Sequence, residues 1–289
     1  MKEIVVISGK GGTGKTFFTG CLAVYLKNKV IVDCDVDAAN LHLILKPKVK
    51  EEYEFWSGKI ASIDEEKCTS CGSCKEVCRF SAIEEREGGF YIDPLSCEGC
   101  TICSYVCPSE AIILKDRLCG HYYISETEEG PFVHARLGIA QENSGKLVTK
   151  LREIAKNIAK KEGKEYIVID GPPGVGCPVM ASITGVKLAV VVTEPTLSGL
   201  HDLERVLKIC QHFKVPAKVI INKFDLNEKL SSEIESKIPE LGGEFLGKIP
   251  FSQDIVESVR QGVPFLKFSK NSISQTVLSI CEKVRKYLG

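Results

Sequence analysis

The chain has 289 residues, enough for one large domain and a smaller one. Basic and acidic residues both number 38, so the charge balance supports neither a nucleic-acid partner nor an anionic membrane surface. No signal peptide leads the chain and no apolar run approaches the roughly 20 residues of a membrane helix, so we expect a soluble, cytoplasmic protein whose 14 cysteines stay reduced or bind metal.

Short apolar runs alternate with amphipathic stretches over most of the chain. We predict strands over Glu3–Ser8, Val30–Cys34, Tyr122–Glu126, Tyr166–Asp170, Leu188–Thr193, Ala217–Asn222 and Glu244–Ile249. We predict helices over Gly14–Lys27, Ala38–Leu45, Gly145–Lys161, Pro178–Gly185, Ser198–Phe213, Glu228–Lys237 and about Lys270–Tyr287. Strands rich in Val and Ile, each followed by a helix, indicate an α/β fold with a doubly wound, mostly parallel sheet.

The first predicted strand runs into a glycine-rich loop, Gly9-Lys10-Gly11-Gly12-Thr13-Gly14-Lys15-Thr16. Such a loop between a strand and a helix surrounds phosphate oxygens with backbone N–H groups. We expect Lys15 to bind the β- and γ-phosphates and Thr16 to bind Mg²⁺. The complete pattern in this context favours a P-loop NTPase over a chance cluster of glycines.

Acidic residues follow two later strands. Asp33, Asp35 and Asp37 surround the end of the second strand, and each could also be a helix cap. Asp170 ends the run Tyr166–Asp170, where its carboxylate would meet Mg²⁺ directly or through water. Because ligands of parallel sheets bind at the carboxyl ends of the strands, we expect the loops at Gly9, Asp35 and Asp170 to converge on one site.

Between residues 51 and 117 the strand–helix rhythm is replaced by two cysteine repeats. Each repeat has the spacing C-x-x-C-x-x-C-x-x-x-C, which is the ligand pattern of two [4Fe–4S] clusters in which the fourth cysteine of each repeat binds the other cluster. We therefore expect one cluster on Cys68, Cys71, Cys74 and Cys107 and a second on Cys97, Cys100, Cys103 and Cys78. Structural zinc sites are the alternative, although zinc usually takes two well-separated cysteine pairs.

The loop form K-G-G-x-G-K-T, with the additional Lys10, resembles the deviant P-loop of the MinD-like ATPases, which include the nitrogenase iron protein and the Mrp-type cluster carriers. The resemblance implies an ATP-dependent homodimer in which Lys10 reaches the partner's nucleotide; a solvated loop lysine is the alternative. It also implies that Asp35 lies in the first switch and orients or activates the attacking water. Asn222 matches the adenine-reading asparagine, and Gly171–Gly174 resembles the second switch.

The cysteine segment resembles bacterial two-cluster ferredoxins over about 55 residues, with Pro108 present and Arg79 in place of the first proline. The whole chain, including Glu142–Val148, resembles a branch of MinD-like ATPases with such a domain inserted after the first switch helix. This resemblance implies an ATPase domain over residues 1–50 and 118–289 and a ferredoxin-like domain with two [4Fe–4S] clusters over residues 51–117.

Cys177 is seven residues beyond Asp170, an offset that matches a cluster ligand of the nitrogenase iron protein. The second cysteine of that site has no counterpart in Leu137–Ser144, and the C-terminal C-x-x-C of the Mrp-type carriers is also missing. We therefore favour a small residue buried at a strand-to-helix turn. The alternative is a thiol that holds metal or a cluster when ATP closes the dimer.

These observations predict an ATP-hydrolysing iron–sulfur protein with ATP/ADP, Mg²⁺ and two [4Fe–4S] clusters as cofactors. We expect ATP-driven dimer closure to gate low-potential electron transfer to a metalloprotein or a metallocofactor-assembly partner. An ATP-dependent carrier of iron–sulfur clusters or metal is the second hypothesis. A MinD-like positioning protein is the third, and the lack of an amphipathic tail beyond Leu288 disfavours it.

Overall fold

The computed structural model describes residues 1–138 and 144–289. Its strands are β1 (Lys2–Ser8), β2 (Lys29–Asp33), β3 (Lys48–Ile63), β4 (Ile83–Arg86), β5 (Gly89–Ile92), β6 (Ile112–Thr127), β7 (Gly130–Leu137), β8 (Tyr166–Pro173), β9 (Leu188–Thr193), β10 (Ala217–Asn222) and β11 (Glu244–Ile249). Its helices are α1 (Lys15–Tyr25), α2 (Leu41–Leu45), α3 (Ser73–Glu76), α4 (Ile102–Val106), α5 (Ser144–Lys161), α6 (Cys177–Ile183), α7 (Leu197–His212), α8 (Glu228–Lys237), α9 (Gln253–Arg260), α10 (Phe265–Phe268) and α11 (Ser272–Leu288).

A large sheet has the strand order β11-β10-β9-β1-β8-β2-β7-β6-β3. The pairs from β11 to β7 are parallel, and β1 lies between β8 and β9 at the centre. The apolar side chains of β1, β8, β9 and β10 are almost completely buried, as expected for a sheet covered on both faces. The prediction of an α/β fold with a large, mostly parallel sheet is therefore confirmed.

The parallel register fixes which strand ends become neighbours. Asp33 at the end of β2 is in register with Asp170 in β8. Both strands point their carboxyl ends toward the edge where β1 leads into the glycine-rich loop. The loops after β1, β2 and β8 therefore meet at one edge of the sheet, as predicted for a ligand site of this fold.

Several elements differ from the prediction. The predicted strand Tyr122–Glu126 is the last part of the much longer β6, and the predicted helix Ala38–Leu45 is reduced to α2. Neither β3 nor β7 was predicted. Most residues in the first half of β3 are exposed and many are charged, so that half lacks the apolar alternation that indicates a half-buried strand.

The chain forms two compact units. The first comprises Met1–Tyr53, Tyr122–Leu137 and Ser144–Gly289, and it contains the parallel strands. The second comprises Glu54–His121 with Gly138. In this unit the antiparallel hairpin β4–β5 and the short helices α3 and α4 surround a small core in which cysteines replace much of the usual aliphatic packing. Over the described ranges, no helix is both long enough and apolar enough to cross a membrane.

Candidate functional site

The loop between β1 and α1 depends on glycine at defined positions. Gly12 and Gly14 have φ angles of 79° and 101°, a region that side chains with a Cβ rarely adopt. A Cβ on Gly14 would also lie 2.4 Å from Nδ2 of Asn222. Asn222 ends β10, and its Nδ2 donates a hydrogen bond to the carbonyl oxygen of Thr13 at 2.8 Å. The end of β10 thereby supports the loop.

Among the described residues, four buried side-chain polar atoms lack a hydrogen-bond partner. One, Oε1 of Glu129, lies in an ion pair with Lys267. The other three are Oγ1 of Thr13, Oδ2 of Asp170 and Oδ1 of Asn222, on three segments that meet at this edge. A buried polar atom left unpaired costs about 1–3 kcal/mol, so native proteins rarely keep one without a ligand, water or ion. All three residues belong to the set predicted to contact nucleotide or Mg²⁺. The donors and acceptors present therefore fit a nucleotide with its metal ion.

Asp170 lies at the centre of this arrangement and is fully buried. Its Oδ1 accepts a hydrogen bond of 2.9 Å from Oγ1 of Thr19, on the second turn of α1. Burial raises the pKa of Asp170 to about 6, although Lys15 and the hydroxyls of Thr16 and Thr19 favour the charged form. A carboxylate so poorly solvated is stabilised by a cation.

The three acidic residues after β2 have different environments. Asp33 is buried and accepts hydrogen bonds from the backbone N–H groups of Asp35 and Leu41, so it holds the loop in shape. Asp35 lies 3.7 Å from Nζ of Lys15, and burial raises its pKa in spite of that lysine. Asp37 is exposed. Of the three, only Asp35 is paired with a lysine of the glycine-rich loop.

Sequence reasoning missed Glu194, which follows β9. Its carboxylate lies between two lysines: Oε1 is 2.5 Å from Nζ of Lys10, and Oε2 is 3.3 Å from Nζ of Lys223. Lys223 also donates a hydrogen bond to the carbonyl oxygen of Gly12 at 3.2 Å. Glu194 is separated from Lys10 by 184 residues in the chain, and no local pattern in the sequence marks it.

The eight cysteines of the repeats line two cavities in the second compact unit. One cavity is lined by Cys97, Cys100 and Cys103 together with Cys78 of the other repeat. The other is lined by Cys68, Cys71 and Cys74 together with Cys107. Each wall thus combines three cysteines of one repeat with the fourth cysteine of the other.

The cysteines are not packed as a site for a single ion. Within residues 1–138 and 144–289, no three His, Cys, Asp or Glu side chains approach closely enough to hold one metal ion. In each repeat the second cysteine is exposed, Cys71 in one and Cys100 in the other, while Cys74, Cys97 and Cys103 are buried.

Cys177 is the first residue of α6, and its side chain is exposed. Our favoured interpretation, a buried small residue, is therefore wrong. Cys177 follows Gly176, the extended N-cap residue of α6, and a Cβ added to Gly145 of α5 would lie 3.5 Å from Cβ of Cys177. Residues 139–143, all of which belong to the stretch Leu137–Ser144 and two of which belong to Glu142–Val148, lie outside the described residues.

Comparisons with known proteins agree with this geometry. The sequence profile of the CobQ/CobB/MinD/ParA nucleotide binding domain matches residues 4–265. An uncharacterised protein of Methanocaldococcus jannaschii is 34% identical over 99% of this chain and 97% of its own length. A 55-residue stretch is 47% identical to 9% of indolepyruvate oxidoreductase subunit IorA of Methanothermobacter marburgensis.

Among solved structures, the septum site-determining protein MinD of Pyrococcus horikoshii, complexed with Mg-ADP, has a similar fold. It aligns with a TM-score of 0.60 and 19% identity, covering 100% of this chain and 97% of MinD. At that identity the likeness concerns the fold, whereas the profile match covers most of the chain. The chain therefore belongs to the CobQ/CobB/MinD/ParA nucleotide-binding family and is a P-loop ATPase of the MinD/ParA type.

Proposed function

We propose that this protein couples ATP-driven closure of a homodimer to low-potential electron transfer through two [4Fe–4S] clusters. The partner would be a metalloprotein or a protein that assembles a metallocofactor. The observation that carries the proposal is the pair of four-cysteine cavities in a chain that also has a MinD/ParA-type nucleotide site. An ATPase of this type needs no thiolates to hydrolyse ATP, so the cysteines imply a second activity.

The proposed binding and hydrolysis of ATP is supported by the contacts of Lys15. Its ammonium is paired with Asp35 at 3.7 Å, and the phosphates of ATP would compete for the same charge. Once Lys15 turns to the phosphates, the Asp35 carboxylate is free to orient the attacking water. Its raised pKa makes it a better proton acceptor than an ordinary carboxylate. Thr16 and Asp170 would hold Mg²⁺, which neutralises the charge that develops on the phosphates.

The proposed binding of two [4Fe–4S] clusters is supported by the chemistry of the cysteine thiolates and by how far apart they lie. Four thiolates around a single zinc ion at about 2.3 Å would lie within about 4 Å of one another. No such group occurs in the described chain, while each cavity collects the four soft ligands that a cubane requires. When bound, the clusters supply one-electron transfer. The local match to an oxidoreductase subunit supports a redox role.

Coupling requires contacts that differ between an open and a closed dimer. Lys10 would supply one such contact, because the equivalent lysine of the MinD-like ATPases reaches the partner's nucleotide. The switches that contain Asp35 and Asp170 would supply the others. Because the affinity for nucleotide and the affinity for electrons are then linked, a tenfold difference in MgATP affinity between oxidised and reduced protein corresponds to about 59 mV in potential.

The test is a redox titration of anaerobically purified protein with no nucleotide, with MgADP and with MgATPγS. We expect MgATPγS, but not MgADP, to change the cluster potential. The matched control is Lys15→Gln, which should bind iron as the wild type does but show no nucleotide-dependent change. Identical potentials in all three conditions would contradict the coupling, and absence of iron–sulfur absorbance would contradict the cofactor assignment.

One observation favours a second candidate function, an ATP-dependent carrier of clusters or metal. Cys177 is exposed three residues beyond the second switch, so its thiol is accessible to a metal or an acceptor protein. In this case ATP hydrolysis would release iron to an apo-protein, and the Cys177→Ser variant would lose that transfer while keeping its redox-active clusters. Equal transfer by both proteins would exclude a carrier role through Cys177.

A further inference from the structure

Glu194 connects the glycine-rich loop to the ends of two strands. It follows β9, and only 16% of its side chain is exposed. Burial favours the neutral acid, but hydrogen bonds from Lys10 and Lys223 outweigh burial and lower the pKa of Glu194. The carboxylate is therefore charged at neutral pH, and it is paired with both lysines at the same time.

Lys10 is held by more than this ion pair. Its Nζ also donates hydrogen bonds to Oγ1 of Thr196 and Oγ of Ser198, both at 3.2 Å. These hydroxyls belong to the same turn after β9, at the start of α7. A lysine with three partners in its own chain cannot at the same time reach a nucleotide bound to another subunit. Lys10 must therefore leave Glu194 before it can act across a dimer.

Lys223 allows Lys10 to leave Glu194 and to return, because it stays beside the Glu194 carboxylate. If Glu194 had Lys10 as its only partner, release of Lys10 would leave a mostly buried carboxylate unpaired, which is strongly unfavourable. Lys223, 3.3 Å from the other oxygen, remains as a counterion. Because Lys223 also contacts the carbonyl oxygen of Gly12, the same contact keeps the glycine-rich loop in shape while Lys10 moves.

We propose that Glu194 is a positioning residue that holds Lys10 within its own subunit and so sets the nucleotide concentration at which the dimer forms. The inference rests on the proposed role of Lys10 in an ATP-dependent dimer. Glu194 and Lys223 then act in opposite directions: the first retains Lys10, and the second favours its release.

The test measures the MgATPγS concentration for half-maximal dimer formation by analytical ultracentrifugation. Ion pairs at partly exposed positions contribute up to about 1 kcal/mol, so Glu194→Gln should lower this concentration about two- to fivefold. Lys223→Met should raise it by at least as large a factor, because the carboxylate would then be unpaired whenever Lys10 leaves. Glu233→Gln, which removes a carboxylate paired with Lys237 on the exposed face of α8, is the matched control and should change nothing.

Two further measurements distinguish a positioning role of Glu194 from damage to the nucleotide site and from the absence of an ATP-dependent dimer. MgADP affinity should stay within about twofold of wild type in Glu194→Gln, because binding to one subunit does not require Lys10 to move. If Lys10→Ala loses the dimer but Glu194→Gln and Lys223→Met dimerise as the wild type does, the role of Glu194 is overturned and the proposed function stands. A wild-type chain that stays monomeric with MgATPγS overturns both.

Discussion

Cys78→Ser should abolish cluster binding in the cavity whose other three cysteines belong to the second repeat. Cys78 lines the same cavity as Cys97, Cys100 and Cys103, although it follows Cys68, Cys71 and Cys74 in the chain. Two complete cubanes correspond to about eight iron atoms per chain, so the variant should retain about four. The single substitution does not reveal which cluster is lost, but double substitutions do.

Cys71 and Cys100 provide a matched pair for this purpose, because both are exposed and each belongs to a different cavity. Cys78→Ser with Cys100→Ser removes two ligands from one cavity, so about four iron atoms should remain. Cys78→Ser with Cys71→Ser removes one ligand from each cavity, so almost none should remain. The two proteins lack the same number of thiols, which makes each the control for the other.

The assay is colorimetric iron and sulfide determination on anaerobically reconstituted protein, with electron paramagnetic resonance of the reduced form. If each repeat instead held its own cluster, the two double variants would exchange their iron contents. That outcome would refute the assignment of Cys78 and Cys107 across the repeats. Equal iron in both double variants would show that the thiols do not act as two groups of four.

Three other predictions concern the nucleotide site. Burial holds the pKa of Asp170 at about 6, above its value of about 3.9 in the unfolded chain, so the folded protein binds an additional proton between these values and becomes more stable as pH falls through 6. Without nucleotide, Asp170→Asn should reduce the difference in unfolding free energy between pH 4.5 and pH 7 by about 2 kcal/mol, measured by urea unfolding; an unchanged difference would contradict the assignment. Gly14→Ala should destabilise the protein by at least about 1–2 kcal/mol, since φ is positive and the methyl group would meet Asn222, whereas Gly11→Ala, which faces open space, should be nearly neutral in thermal unfolding. Asp35→Asn should lower kcat about 10²–10⁴-fold with little change in MgADP affinity, and retained turnover would exclude a role for Asp35 in activating water.

Several elements could be predicted closely from the sequence, since the predicted bounds of β9, β10, β11 and α8 match those in the structure. In β9 the reason is plain: the strand is a short, uninterrupted apolar run and every residue of it is buried, so local pattern and tertiary environment agree. The strands β3 and β7 were missed because they lack such a run. Charged residues are frequent in β3, and β7 contains His134 and Arg136, so neither reads as an apolar strand.

In the candidate site, too, some features could be predicted from the sequence and others could not. The glycine-rich loop and the cysteine repeats carry their chemistry in a local spacing, so each could be proposed from sequence. The choice among Asp33, Asp35 and Asp37 could not be made, because it depends on which side chain reaches Lys15 and which is already bonded to backbone N–H groups. The orientation of Cys177 depends likewise on the turn that precedes it.

The crossed lining of the two cavities makes the two cysteine repeats depend on each other. Each cavity takes three cysteines from one repeat and the fourth from the other, so deletion of either repeat would remove cysteines from both cavities. Neither repeat can therefore keep a complete set of four cysteines in either cavity by itself.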